Sequence, residues 1–510
     1  MKKVVIGGET LTVQDVVAVA RDNATVTISE KAKKKVRQAR KTLEQLVKNN
    51  KIIYGVTTGF GALGNVAIPP KDIMQLQVNL IRSHSSGVGK PLCRDVTRAV
   101  MLLRANTLAK GYSGVRLETL ETLVQMINKG VHPVIPEKGS VGASGDLAPL
   151  SHMVLVMIGE GEAEYQGMVM RGKEIMEKVD ISLLTLDVKE GVALNNGTQI
   201  MTAVAALAVH DAENLVQTAE VAAALSLEAL CGIVDAFDEK IHSIRPHKGQ
   251  IETAKNIRRL VSGSKLVKPS SETVREDKYP QDPYSLRCIP QVLGTVRDVI
   301  SHVKSVVEVE INSATDNPIV FAEEHVCLSG GNFHGQPISA AMDYLAIALT
   351  TIGNFSERRT ARLIDEKLNR GLPAFLISEK ARRGLQSGFM TLQYTAAALA
   401  SENKSLAHPA SVDSIPTSAN FEDFVSMGPI AARKTAEILR NTEYIVAIEL
   451  LSAAQGVEFR GATKLGKGTG AAYNLIRKKV PALKEDRAVY NDIETAKTLV
   501  RNEEFSRLKA

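Results

Sequence analysis

Apolar side chains recur at helical spacing through four long stretches, 199–234, 291–312, 336–363 and 429–457, all rich in Ala, Leu, Glu and Met. Apolar positions three and four apart fall on one face of a 3.6-residue helix, so each stretch predicts a long helix. A helix of about 30 residues spans about 45 Å, which suits a long bundle. Strict alternation is scarce and short, as in Met168–Arg171, and predicts few strands. The pattern reads as a mainly α protein, with a loop-rich N-terminal region over 1–195 and a long helical bundle with a C-terminal helical region over 196–510. Glycines and prolines gather at helix ends, in 54–64, 139–145, 195–197, 329–331 and 371–373, where loops can converge on one site.

Composition narrows the class. The chain has 510 residues, 44% hydrophobic and 23% charged, enough apolar material for a large core and too little charge for disorder. No Pro/Ser-rich linker divides it, which favours one interwoven unit. The N-terminus lacks the apolar run of a secretory signal. The most apolar segments, 150–158 and 344–352, stop short of the roughly 18 residues of a membrane span, so a cytoplasmic location is expected. Cys93, Cys231, Cys288 and Cys327 are scattered without a CxxC pair, which suggests reduced thiols. The net charge of +7 is modest, and the basic run KAKKKVRQARK at 31–41 has no aromatic residue to stack on bases, so it reads as a solvated helix face. No metal-ligand spacing and no nucleotide fingerprint stands out.

The chemistry concentrates in GSVGASGDLAPLSHM at 139–153. Asp146 is a good helix N-cap, Pro149 is tolerated in a first turn, and Ser144 then sits at a positive helix end. Within Ala143-Ser144-Gly145 every side chain is small, and Gly145 has no Cβ to block approach of its nitrogen to a preceding carbonyl. Taken alone, such a tripeptide is a glycine loop.

It does not stand alone. With YGVTTGFG at 54–61, NNGTQ at 195–199, QDPYSLRC at 281–288 and SGGNFHGQP at 329–337, the segment resembles the signature of the aromatic amino acid ammonia-lyase and aminomutase family, over residues 54 to about 460. The resemblance implies a long-helix, fumarase-like architecture and a homotetramer whose sites draw on about three subunits. It also implies a 4-methylideneimidazol-5-one ring made from Ala143, Ser144 and Gly145, with the Gly145 nitrogen attacking the Ala143 carbonyl and Ser144 losing water. That ring is an electrophile for the substrate amine and needs no external cofactor.

By the same resemblance Tyr54 is the catalytic tyrosine. A phenol ordinarily titrates near pH 10, so a base role requires a positive field, for which helix N-termini are candidates. Arg287 matches the residue that holds the substrate carboxylate, a bidentate task suited to guanidinium. Asn196 and Gln281 match orienting amides, Tyr284 a second tyrosine near the ring, and Phe333 an apolar wall. His334 has no assigned role.

Substrate choice rests on fewer residues. Ser83-His84 resembles the histidine-specific branch, and so does the segment 411–427, in which Glu422 faces the substrate imidazole; a buried imidazole needs such partners. Phe421 and Phe424 replace Gln and His of that branch and predict a drier pocket edge, and 368–373 looks more like the aromatic lyases and aminomutases. The expected activity is deamination of L-histidine to urocanate, a step of histidine degradation. The alternatives are a tyrosine or phenylalanine lyase, a 2,3-aminomutase, or an inactive helical scaffold. Gly61-Ala62-Leu63-Gly64 lacks the acidic residue that tyrosine aminomutases carry there, and no fumarase-type GSSxMPxKxN signature occurs.

Overall fold

A computed structural model describes residues 2–272, 280–378 and 384–508. Among the described residues there are eighteen α-helices and nine short strands. The four predicted long helices run Gln199–Ala229, Ile289–Glu310, Gln336–Ile364 and Gly428–Arg460. The alternating segment Met168–Arg171 is a strand, paired antiparallel with Glu162–Tyr165.

The first helix ends five residues before its apolar pattern does. Cys231 takes a left-handed conformation, with φ 48°, and the Gly232 and Cys231 amides close back on the Leu227 and Glu228 carbonyls at 2.8 and 3.0 Å. That is a Schellman-type stop with cysteine where glycine is usual, so the composition does not announce it.

The chain forms two compact units, each discontinuous in sequence. One comprises Met1–His210, Val303–Asp343 and Pro409–Arg433, the other Asp211–His302, Tyr344–His408 and Lys434–Ala510. The division at 195/196 expected from the sequence is a single cut, whereas these units are each assembled from three segments, and all four long helices have residues in both.

In the first unit the helix Arg94–Ala109 is buried from Val96 onward. Two of its buried polar side chains donate to carbonyls at or near the ends of other elements: Arg98 to Val19 O and Ile127 O, and Asn106 to Ile311 O at 2.8 Å. The basic run lies on the helix Glu30–Lys48, capped by the Ser29 hydroxyl. It is not wholly solvated, because Arg40 is buried and pairs with Glu44 at 2.7 Å and Asp187 at 2.8 Å.

In the second unit Arg359 and Glu449 form a fully buried pair, at 2.5 and 2.8 Å, with the Ser226 hydroxyl on the same carboxylate at 2.7 Å. Glu220 accepts from Arg297 and Thr253. One described helix, Gln336–Ile364, has the length and apolarity of a membrane span by averaged hydropathy, which a count of contiguous apolar residues had passed over. Two-thirds of that window (67%) is buried inside the protein, the behaviour of a core helix.

Candidate functional site

The loop 139–146 is gripped by the glycine loop 195–197. Gly145, at φ +73°, pairs with Gly197 through an isolated parallel bridge, and the Asp146 amide donates to the Gly197 carbonyl at 2.7 Å. A Cβ at Gly145 would lie 2.2 Å from the Gly197 oxygen, so both the backbone angle and the approach require glycine.

Asp146 corrects an expectation. It precedes the helix Leu147–Met157 but makes no side-chain cap there. Its carboxylate instead accepts from the amides of Ile200 and Met201, at 2.9 and 3.0 Å, so it caps the neighbouring long helix. Helix amides take whichever carboxylate folding brings to them. Burial pushes the Asp146 carboxyl up to about 7, with the two amides acting in the opposite sense and Glu310 adding to the rise.

Arg104 braces the same region. Its guanidinium donates to Asn196 O and to Gln199 Oε1, both at 2.8 Å, and full burial pushes its pKa down to about 10. Asn196 is buried, and its side-chain oxygen has no hydrogen-bond partner, which leaves that amide available to a ligand.

Ser144 faces the other way. Its hydroxyl donates to Glu422 Oε1 at 3.1 Å, while the Thr417 hydroxyl donates to Oε2 at 2.6 Å. Thr417 and Glu422 also pair through their backbones, at 2.9 and 3.3 Å, so the carboxylate is held at both oxygens and at its own peptide.

Glu422 acts electrostatically on two more expected residues. Burial raises the Tyr54 phenol above its ordinary value and Glu422 adds to that, against a hydrogen bond donated by the Gly61 amide at 2.7 Å. Burial lowers His84, while the Leu80 carbonyl and Glu422 oppose the shift. The Ser83 hydroxyl lies 3.0 Å from His84 Nδ1 and 3.1 Å from Leu80 O. Both residues line a cavity of about 450 Å³ whose other walls include Gly59, Phe60, Leu63 and Leu80.

Phe421 and Phe424 are 63% and 59% exposed in the single chain, and Phe424 stacks on His334, ring centres 6.0 Å apart. The Gln336 amide donates to His334 Nδ1, which leaves Nε2 to carry the proton and donate to Phe424 O at 3.3 Å. His334 therefore positions this loop. Phe333, its neighbour, is half-buried.

Nine of the twelve expected site residues belong to the first unit: Tyr54, Ser83, His84, Ala143, Ser144, Gly145, Asn196, Phe333 and Glu422. Gln281, Tyr284 and Arg287 belong to the second. There Arg287 donates to Gln281 Oε1 and lies over the Tyr284 ring, 4.7 Å from its centre. Sequence reading missed Thr417, which looks like any loop threonine, and Arg104, whose position inside the apolar run 99–109 was a usable signal. Among the described residues no group of three or more His, Cys, Asp and Glu converges as a metal site.

A hydroxyl, a carboxylate, an imidazole and a phenol thus share one electrostatic neighbourhood beside a cavity large enough for an amino acid, an arrangement fitted to acid–base chemistry. The profile of the family described as aromatic amino acid lyase matches residues 11–478. The histidine ammonia-lyase of Caldanaerobacter subterraneus subsp. tengcongensis is 57% identical over 502 residues, which is 98% of this chain and 97% of that protein. Among solved structures, tyrosine aminomutase from Streptomyces globisporus matches with a TM-score of 0.95 at 42% identity, covering 99% of this chain and 98% of that one. Histidine ammonia-lyase from Trypanosoma cruzi matches at 0.90 and 41%, covering 99% and 94%. With a profile match over most of its length and relatives that align from end to end, the chain belongs to the aromatic amino acid lyase family.

Proposed function

We propose that this chain eliminates ammonia from L-histidine to give trans-urocanate, using a 4-methylideneimidazol-5-one ring formed from Ala143, Ser144 and Gly145. The observation that carries the reading is the Glu422 carboxylate, which takes the Ser144 hydroxyl at 3.1 Å and acts on both Tyr54 and His84. The tripeptide fits the ring: Gly145 sits where a Cβ would strike the Gly197 carbonyl, and the small side chains of Ala143 and Ser144 leave the backbone room to fold on itself.

The ring supplies an electrophile for the substrate amine. The protein's own side chains do the rest. Ser83 and His84 line the cavity and offer hydrogen bonds to a polar ring, which a phenyl group would leave unsatisfied. Thr417 fixes Glu422 so that one carboxylate oxygen stays directed at Ser144 and the substrate space. Tyr54 and Glu422, which are electrostatically coupled, share removal of the β-proton. Asn196 orients the substrate through its unpartnered amide oxygen. Arg287, with Gln281 and Tyr284, binds the substrate carboxylate, and Phe333 forms an apolar wall. The active form is a cytoplasmic homotetramer in which loops of several subunits complete each site.

Purified protein incubated with L-histidine, L-tyrosine and L-phenylalanine in parallel, with ultraviolet absorbance followed for the conjugated product, tests this. Urocanate from histidine, lost in Ser144→Ala, is the expected result; product from tyrosine or phenylalanine alone overturns it. A 2,3-aminomutase is the second reading, favoured by the close superposition on tyrosine aminomutase. It requires a β-amino acid product, which chiral analysis of the same incubation detects.

A further inference from the structure

The segment that follows Glu422 also holds the front of the tripeptide. Ser426 is fully buried. Its hydroxyl donates to the Gly142 carbonyl at 3.0 Å and accepts from the Gly428 amide at 3.2 Å. Its own carbonyl takes the hydroxyl of buried Ser339 at 2.6 Å. Next to it the Met427 amide donates to the Val141 carbonyl at 2.9 Å, and Val425 and Met427 pack with Ala143 in one apolar cluster. Gly142 is left-handed, at φ +68°, and a Cβ there would fall 2.2 Å from the Ser426 oxygen, so the serine hydroxyl fills the space a side chain would take.

Ala143-Ser144-Gly145 is therefore pinned at both ends, by Ser426 at Gly142 and by Gly197 at Gly145. We infer that Ser426 is a positioning residue for ring closure, fixing the Gly142 carbonyl so that the tripeptide is folded on itself before any bond forms. The inference rests on the ring reading above. Closure joins the Gly145 nitrogen to the Ala143 carbonyl carbon. The carbonyl oxygen leaves as water with the Gly145 and Ser144 amide hydrogens, and a C=N bond forms to the Ser144 nitrogen. Ser144 then loses its Cα hydrogen and its hydroxyl as a second water, giving the exocyclic double bond. No oxidant is needed. Holding the reactants in place removes most of the entropic barrier to such a step.

The test follows the intact mass of freshly synthesised full-length protein with time, alongside its thermal midpoint. Wild type is expected to become lighter than its sequence by two waters. Ser426→Ala is expected to do so about three- to tenfold more slowly, the scale of one lost hydrogen bond, with Ser426→Cys intermediate. Ser339→Ala, which touches Ser426 only through its carbonyl, should slow less. Ser452→Ala removes a fully buried hydroxyl that bonds the Ile448 carbonyl in the second unit, and it should lose both waters at the wild-type rate whatever its midpoint. Closure at the wild-type rate in Ser426→Ala, or equal slowing in Ser452→Ala, overturns the inference. If Ser426→Ala does not fold, Ser339→Ala decides, and an unchanged rate there overturns it. Wild type that keeps its full sequence mass overturns the ring reading itself.

Discussion

Burial takes from Asp146 the easy ionisation of a surface carboxylate. Its pKa stands at about 7 because the loss of water outweighs two backbone amides, and half-buried Glu310, itself raised by desolvation, adds to the same side. The unfolded chain binds this proton only below about pH 4, so the folded chain holds it more tightly. Stability from Asp146 is complete below the unfolded value and is lost as pH climbs through about 7, a change of about 4 kcal/mol for a shift of this size. The thermal midpoint of wild type is expected to fall between about pH 4 and 7 relative to Asp146→Asn; parallel curves for the two proteins would refute it. The residue also marks a limit of sequence reading. Its type and its place before a helix were legible, but which helix it caps depended on a fold that brings Ile200 and Met201 to it. The electrostatic setting of Tyr54 was hidden for a related reason: the approach of Glu422 spans more than 360 positions of sequence.

Helices were the most legible feature, because periodicity reports the face a helix buries, and the four long ones match their patterns to within a few residues at most ends. What periodicity does not report is how charged residues inside that face are accommodated. Arg359 and Glu449 both lie within the predicted long helices, fully buried against each other. Such a pair adds little over well-packed apolar side chains, yet removing one member strands the other charge in the core. Arg359→Leu is expected to lower unfolding free energy by about 3–5 kcal/mol, and Arg359→Leu with Glu449→Leu to recover most of it. Urea denaturation of the single and double variants measures this; a double variant no more stable than the single would show that the pair matters for more than charge balance.

At the scale of the whole molecule, the expected site residues divide between the two compact units, with Ser144 and Glu422 in one and Arg287 in the other. The tetramer reading gives this division a direct consequence. If Arg287 serves the Ser144 of a neighbouring copy, a chain carrying Ser144→Ala and a chain carrying Arg287→Ala are each inactive alone but complement each other when co-expressed. A working site then needs an intact Ser144 from one copy and an intact Arg287 from the other. Random mixing of equal amounts makes that combination about a quarter of all sites, so about a quarter of wild-type activity is expected. If both residues of a site come from one chain, every copy carries one lesion and mixing restores nothing. Histidine deamination by the co-expressed pair, with the separate variants and the assembly state of each as controls, therefore reads out which subunit supplies the carboxylate-binding arginine.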